Sequence, residues 1–229
     1  MASVLALSRP LHSEVQDEAL CSAIVPAVFT GTSMIHQVSI SMNTFDMVEY
    51  DHQNSALFDL FLEGTSLSGM ALDLRYTVKK KSDVDKLGKS HLIYSTGPVL
   101  VSDALRAVIE RVAPAQAEFF EIRLAIKDSD VRGFSAMNLV HKTSCLDLEK
   151  SEYRVTNFDP HNPEYRFLYT VFRDAFEIDL DIVRCQEKST LIVVSDALKA
   201  ACFDAKLHGL EFCRAMDMTH GDRTVCEKI

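Results

Sequence analysis

The segment Val101-Ser-Asp-Ala-Leu-Arg-Ala107 returns 93 positions later as Val194-Ser-Asp-Ala-Leu-Lys-Ala200, and the same offset carries Glu118-Phe119 onto Glu211-Phe212. Between residues 98–120 and 191–213 eight of 23 positions are identical, where unrelated stretches share roughly one or two. A chain that uses one supersecondary unit twice must build two strand–helix corners, and this restricts its folds more than its composition does. Each copy reads as a short apolar strand, Pro98–Val101 and Leu191–Val194, then a serine N-cap and a helix. Ser102 and Ser195 can each accept a bond from an orphan N–H of the first helical turn, and Asp103 and Asp196 set negative charge at the positive end of the helix dipole. Leu105, Val108, Ile109 and Val112 form a stripe at i, i+3, i+4 and i+7, repeated by Leu198, Ala201, Cys202 and Ala205. The first helix should stop at Pro114 and the second at Gly209.

Around these units the pattern alternates between short strands and turns. Residues 12–23 can form a helix capped by Ser13, Val38–Met42 and Met47–Tyr50 read as strands, and Ser55–Phe61 as a helical turn before Gly64. Leu72–Val78 alternates and runs into a lysine-rich loop, and Phe119–Ile126 supplies a return strand with Phe120, Ile122, Leu124 and Ile126 on one face. A hairpin to Phe134–Val140 across the turn 127–133 is expected. Residues 157–165 hold two prolines and should form a long surface loop at or near a boundary between halves, and Phe176–Ile182 alternates strictly. The expected fold class is α+β: mixed short-strand sheets with serine-capped helices, in one globular domain over 1–229 with related halves at about 1–156 and 157–229.

At 229 residues the chain can bury a core without metal or disulfide, and 47% hydrophobic with 25% charged residues is an ordinary globular balance. The formal charge of −9 repels nucleic acid and anionic membranes and attracts basic partners. Lys79–Lys81, with Lys86 and Lys89, is diluted by Asp83 and Asp85 and lacks an aromatic residue for base stacking, so it reads as a solvated loop. Six cysteines without a C-x-x-C pair or a histidine at ligand spacing give no zinc motif, so neither metal nor cofactor is expected. No secretory leader or apolar run of membrane-spanning length is evident. The expected setting is a reducing cytoplasm with free cysteines, Cys202 serving as a small buried hydrophobe.

Two acidic groups stand out. Glu177, Asp179 and Asp181 would form a ladder on one face of their strand, either an ordinary solvated face opposite Phe176, Ile178, Leu180 and Ile182 or a contact for a cationic partner. Asp46, Glu49 and Asp51, beside Tyr50 and His52, combine charge with an aromatic anchor, a composition found in partner-binding patches as well as in loops between strands. The eight histidines are scattered and G-x-S-x-G is absent, so no enzyme signature is present.

Phe134–Glu152, with Asn138 on a strand ahead of Leu146-Asp147-x-x-Lys150-Ser151-Glu152, lies between Gly97–Ser102 and the pair Ile192–Lys199 and Gly209–Phe212. In the order and spacing of these motifs the chain resembles, over about 57–215, a family of bacterial immunity proteins found beside polymorphic and contact-dependent toxins. The resemblance implies a non-enzymatic cytoplasmic protein that binds and neutralises a cognate toxin. It passes on no binding residues, and an Asp–Lys pair with a serine cap would by itself account for Asp147, Lys150, Ser151 and Glu152 as a structural corner. With a basic toxin as partner, the contact candidates are Asp46, Glu49, Tyr50, Asp51, Glu177, Asp179 and Asp181. The alternative is an enzyme or ligand-binding protein with a site between the halves, for which His141, Asp147 and Glu152 are the nearest candidates.

Overall fold

The computed structural model describes residues 34–229 apart from 41–43, 45, 128, 157–163 and 177–178, so the helix expected at 12–23 lies outside the described residues. Strands β1 (Ile35–Ile40) and β2 (Val48–Tyr50) precede a 3-10 helix (Phe58–Leu62), β3 (Arg75–Val78) and α1 (Lys81–Leu87). The first repeat unit follows as β4 (Leu92–Ile93), β5 (Leu100–Ser102), α2 (Asp103–Val112) and β6 (Ala117–Phe120). Then come β7 (Arg123–Ile126), β8 (Ser129–Asp130), β9 (Phe134–Leu139), β10 (Lys142–Thr143), β11 (Glu152–Thr156) and β12 (Glu164–Val171). The second unit is β13 (Ile182–Cys185), β14 (Ile192–Ser195), α3 (Asp196–Asp204) and β15 (Leu210–Asp217), followed by β16 (Val225–Lys228). The fold is α+β, with three sheets among the described residues: β10-β13-β14-β1-β15-β12-β11 with β16 added on β15, β2-β3-β7-β8, and β4-β5-β9-β6.

The two copies of the repeated segment fold alike. In the first, β5 and β6 flank β9, which is antiparallel to both, and β4 lies outside β5; in the second, β14 and β15 flank β1 in the same sense and β13 lies outside β14. Ala136 of β9 faces Leu100 and Phe120, and Gln37 of β1 faces Val193 and Cys213, the matching positions at the same offset. Even the corner bonds correspond: Asp103 N donates to Gly133 O and Asp196 N to Met34 O, while Ser102 N donates to His91 O and Ser195 N to Asp181 O. The middle strand of the second unit comes from the far side of residue 156, so this equivalence is one of supersecondary units, and a division of the chain into halves is a separate proposal.

Both caps form as expected. Ser102 Oγ accepts from Leu105 N and Ser195 Oγ from Leu198 N, each at 3.2 Å. Leu105, Val108, Ile109, Leu198 and Cys202 are buried together in a cluster with Val38, Met137, Leu139, Ile192 and Phe212, so the stripes of both helices share one core. Ala205 is exposed, because α3 ends at Asp204, well short of Gly209, where Lys206 takes a positive φ of 54°. A second cluster joins the inner residues of β2, β3 and β7 (Val48, Tyr50, Tyr76, Val78, Leu124) to Ile93, Leu100 and Phe61. A third packs Leu146 and Phe172 on the other face of the large sheet, against Ile35, Val183 and Val193.

Other expectations need correction. Phe119–Ile126 is two strands, because the chain leaves the β6 sheet and enters that of β7; its alternation survives since Phe120, Ile122, Leu124 and Ile126 all meet the second cluster. The strand after the 127–133 turn pairs with β5 and β6, not with β7. The lysine run enters a helix, α1, anchored by buried Leu87, with its lysines exposed. Residues 157–163 lie outside the described residues, between two strands, β11 and β12, that pair with each other. Of the strand expected over 176–182, residues 177–178 lie outside the described residues, 176 and 179–181 are not in a strand, and β13 starts at Ile182, where it pairs with β14. Cys213 and Cys226 are disulfide-bonded, contrary to the expectation of free cysteines, because β15 and β16 set them opposite each other. Cys145, Cys185 and Cys202 are free and buried, and burial pushes the Cys202 thiol up to about 12. Among the described residues, no helix is long and apolar enough to cross a membrane.

Candidate partner-binding face

Alternation along β2, β3 and β7 sends Val48, Tyr50, Tyr76, Val78 and Leu124 inward and leaves Glu49, Thr77 and Arg123 exposed on the outer face, with Arg75 half-buried. Register aligns Glu49 with Thr77 and Arg75 with Arg123. Two arginines opposite each other repel, and the Asp73 carboxylate beside them relieves this by accepting from Arg75 Nε at 2.9 Å. The Arg75 hydrogen bond, and then the charges of Arg75 and Arg123, hold Asp73 below the usual carboxylate range.

Glu49, Tyr50, Asp51, His52, Gln53 and Thr77 line an open hollow of about 420 Å3 on this face. Asp51 closes the loop behind β2, accepting from Asn54 Nδ2 at 2.9 Å, Asn54 N at 3.1 Å and Gln53 N at 3.2 Å, and the Asn54 side chain first of all holds its carboxyl below the usual range. Asp46 and His52 are exposed at either end of the strand. Tyr50, expected as an exposed anchor, is instead a core residue, 2% exposed. Its hydroxyl donates to Ala56 O at 2.6 Å, its ring meets Tyr76 at 4.8 Å, and burial raises its pKa. Gly97 makes room for that ring, since a Cβ there would lie 2.3 Å from Tyr50 Cγ.

Of the second acidic group, the two described members, Asp179 and Asp181, lie outside any strand. Glu177 lies outside the described residues, Asp179 is exposed, and Asp181 is half-buried at the corner before β13. The Asp181 carboxylate accepts from Ser195 Oγ at 2.5 Å, and its N–H donates to Gln116 Oε1 at 2.8 Å. Asp181 therefore positions the cap of α3, as His91 Nδ1, 2.9 Å from Ser102 Oγ, does for α2.

Residues of the Leu146–Glu152 motif build a corner. Asp147 accepts from Glu149 N and Lys150 N at 3.2 Å each and pairs with Lys150 Nζ at 2.7 Å. Ser151 Oγ accepts from Val171 N at 3.0 Å, and Glu152 holds Arg223, whose guanidinium lies 4.0 Å from the Tyr169 ring centroid. His141 sits before β10 and its carbonyl accepts from Arg184 N. Asp147 and Glu152 are thus occupied by separate cations, and the structure does not bring them together with His141.

One polar pair had no signal in the sequence. His36, 2% exposed, sets Nε2 at 2.7 Å from Asp196 Oδ1, while Asp196 Oδ2 accepts from Met34 N at 2.9 Å. Its counterpart in the first unit is Ser135, so the pair belongs to the second unit alone.

A sequence-family model described as an immunity protein family (Imm11) matches residues 66–217, more than half of the chain. No curated protein matches it. The matched span holds the first repeat unit, the 146–152 corner and β13 to β15 of the second unit without its middle strand β1, and it begins after β2, so Glu49 and Asp51 lie outside it.

Proposed function

This chain belongs to the Imm11 immunity protein family, and from that membership we propose that it binds a cognate bacterial toxin in the cytoplasm and blocks it by surface contact. Immunity proteins of this family are typically non-enzymatic inhibitors, so the functional quantity is a binding surface and its charge. The family match over residues 66–217 is the observation that carries the reading.

For the contact itself, support comes from the acidic hollow around Glu49, Asp51 and His52 on the outer face of the β2-β3-β7-β8 sheet. A chain of formal charge −9 gains association rate and partner selectivity from a basic toxin. Co-expression with the product of the neighbouring gene tests the function: that product is toxic alone, growth is rescued and a stable complex purifies. Loss of rescue with a folded, soluble chain would overturn it.

A further inference from the structure

β15 and β16 set Glu211 opposite Lys228 and Cys213 opposite Cys226. The Glu211 carboxylate and the two sulfurs lie within 4.8 Å of one another, with Cys213 buried and Glu211 and Cys226 half-buried. On the other flank of Cys213 its register partner is Gln37 of β1, 6% exposed, whose side-chain oxygen is buried without a hydrogen-bond partner. A buried acceptor in that state is costly and is relieved by a donor or a cation. The first repeat unit keeps the glutamate, as Glu118, but has Phe120 where the second has Cys213, so this cluster is no by-product of the shared framework.

We propose that the reduced form of this corner binds a thiophilic divalent cation of the zinc type through the Cys213 and Cys226 thiolates and the Glu211 carboxylate, with Gln37 as the register neighbour of Cys213. A dithiol reductant supplies two electrons and two protons: the S–S bond breaks, two thiols form, and the reductant leaves as its own disulfide. The cation then displaces both thiol protons to solvent and forms two metal–sulfur bonds. Tetrahedral zinc–sulfur bonds of about 2.3 Å need the sulfurs about 3.8 Å apart, which side-chain rotation of the two cysteines supplies without unpairing the strands. Lys228, 2.9 Å from Glu211 Oε1 and largely exposed, turns into solvent to free the carboxylate. The site stands independently of the toxin reading.

The full chain, reduced with a phosphine and separately oxidised, is titrated with zinc against a chromogenic chelator and with cobalt(II), whose thiolate charge-transfer absorption reports sulfur ligation. The reduced chain is expected to take up one equivalent and the oxidised chain none. Glu211→Gln, which keeps both thiols, weakens uptake by at least about tenfold, and a Cys145→Ala, Cys185→Ala, Cys202→Ala variant binds as the parent does. Absence of uptake by the reduced parent overturns the proposal, whether or not that chain keeps its folded circular dichroism. Undiminished uptake by a Cys213→Ser, Cys226→Ser variant overturns it as well.

Discussion

The hydroxyl of Ser195 accepts from Leu198 N and donates to the half-buried Asp181 carboxylate, so one atom closes the start of α3 and satisfies a charge at the corner before β13. Ser195→Ala removes both bonds and should lower unfolding free energy by about 1–3 kcal/mol, read from urea denaturation midpoints at unchanged m-value. An unchanged midpoint would show that water replaces the hydroxyl. A few residues away, burial lowers the pKa of His36 from 6.5, although its bond to Asp196 acts in the other direction. The folded chain thus holds His36 neutral where the unfolded chain takes up a proton. Its contribution to stability is present above pH 6.5 and is lost as pH falls through the lower folded pKa. His91, also lowered by burial, adds a loss of the same sign. His36→Asn should therefore flatten, without abolishing, the fall in denaturation midpoint between neutral pH and about pH 5; a slope equal to the parent's would remove His36 as its source.

The side-chain oxygen of Gln116, just ahead of β6 in the first unit, accepts from both Asp181 N and Ile182 N of the second. Gln116→Ala leaves two backbone donors without this acceptor and should cost about 1–3 kcal/mol, with early hydrogen exchange at Asp181 and Ile182 as the local readout. Exchange unchanged at those amides would mean that the units are held together elsewhere. This clasp joins residues 65 or more apart, and that distance separates what the sequence discloses from what it hides. Caps and stripes of α2 and α3 are legible because a helix start and its buried face are decided within a few residues. Tyr50 is misread as an anchor although its burial has a local signal: Val48 and Tyr50 flank exposed Glu49 at a period of two, and the same alternation that exposes Glu49 buries its neighbours. Pairing partners are another matter. Nothing local says that β1 completes the second unit, that one alternating run from Phe119 to Ile126 serves two sheets, or that β13 pairs with β14 from Ile182 onward. The His36–Asp196 and Cys213–Cys226 pairs depend on those same pairings, so they were hidden with them.

At the scale of the whole molecule, the question is whether net charge or a particular face guides a basic partner. Beyond a Debye length of about 8 Å at physiological ionic strength exposed charges are screened, so at that salt only acids near the contact act strongly, whereas at low salt the full −9 contributes. Glu49→Lys and Asp179→Lys each change the net charge by +2, from −9 to −7, at two exposed positions, one in the acidic hollow and one in the segment before β13. Asp51 and Asp181 are unsuitable for this comparison, because reversing them would also break the loop closed through Asn54 or the cap of α3. If the hollow is the contact, Glu49→Lys slows toxin association by roughly tenfold in stopped-flow measurements and Asp179→Lys has little effect, with the difference persisting at physiological salt. Equal slowing by both, vanishing as salt rises, would assign the steering to the overall field. A rate and affinity unmoved by Glu49→Lys at every ionic strength would take the β2-β3-β7-β8 face out of the contact, and the search would turn to the surface around Asp179, inside the span that defines the family.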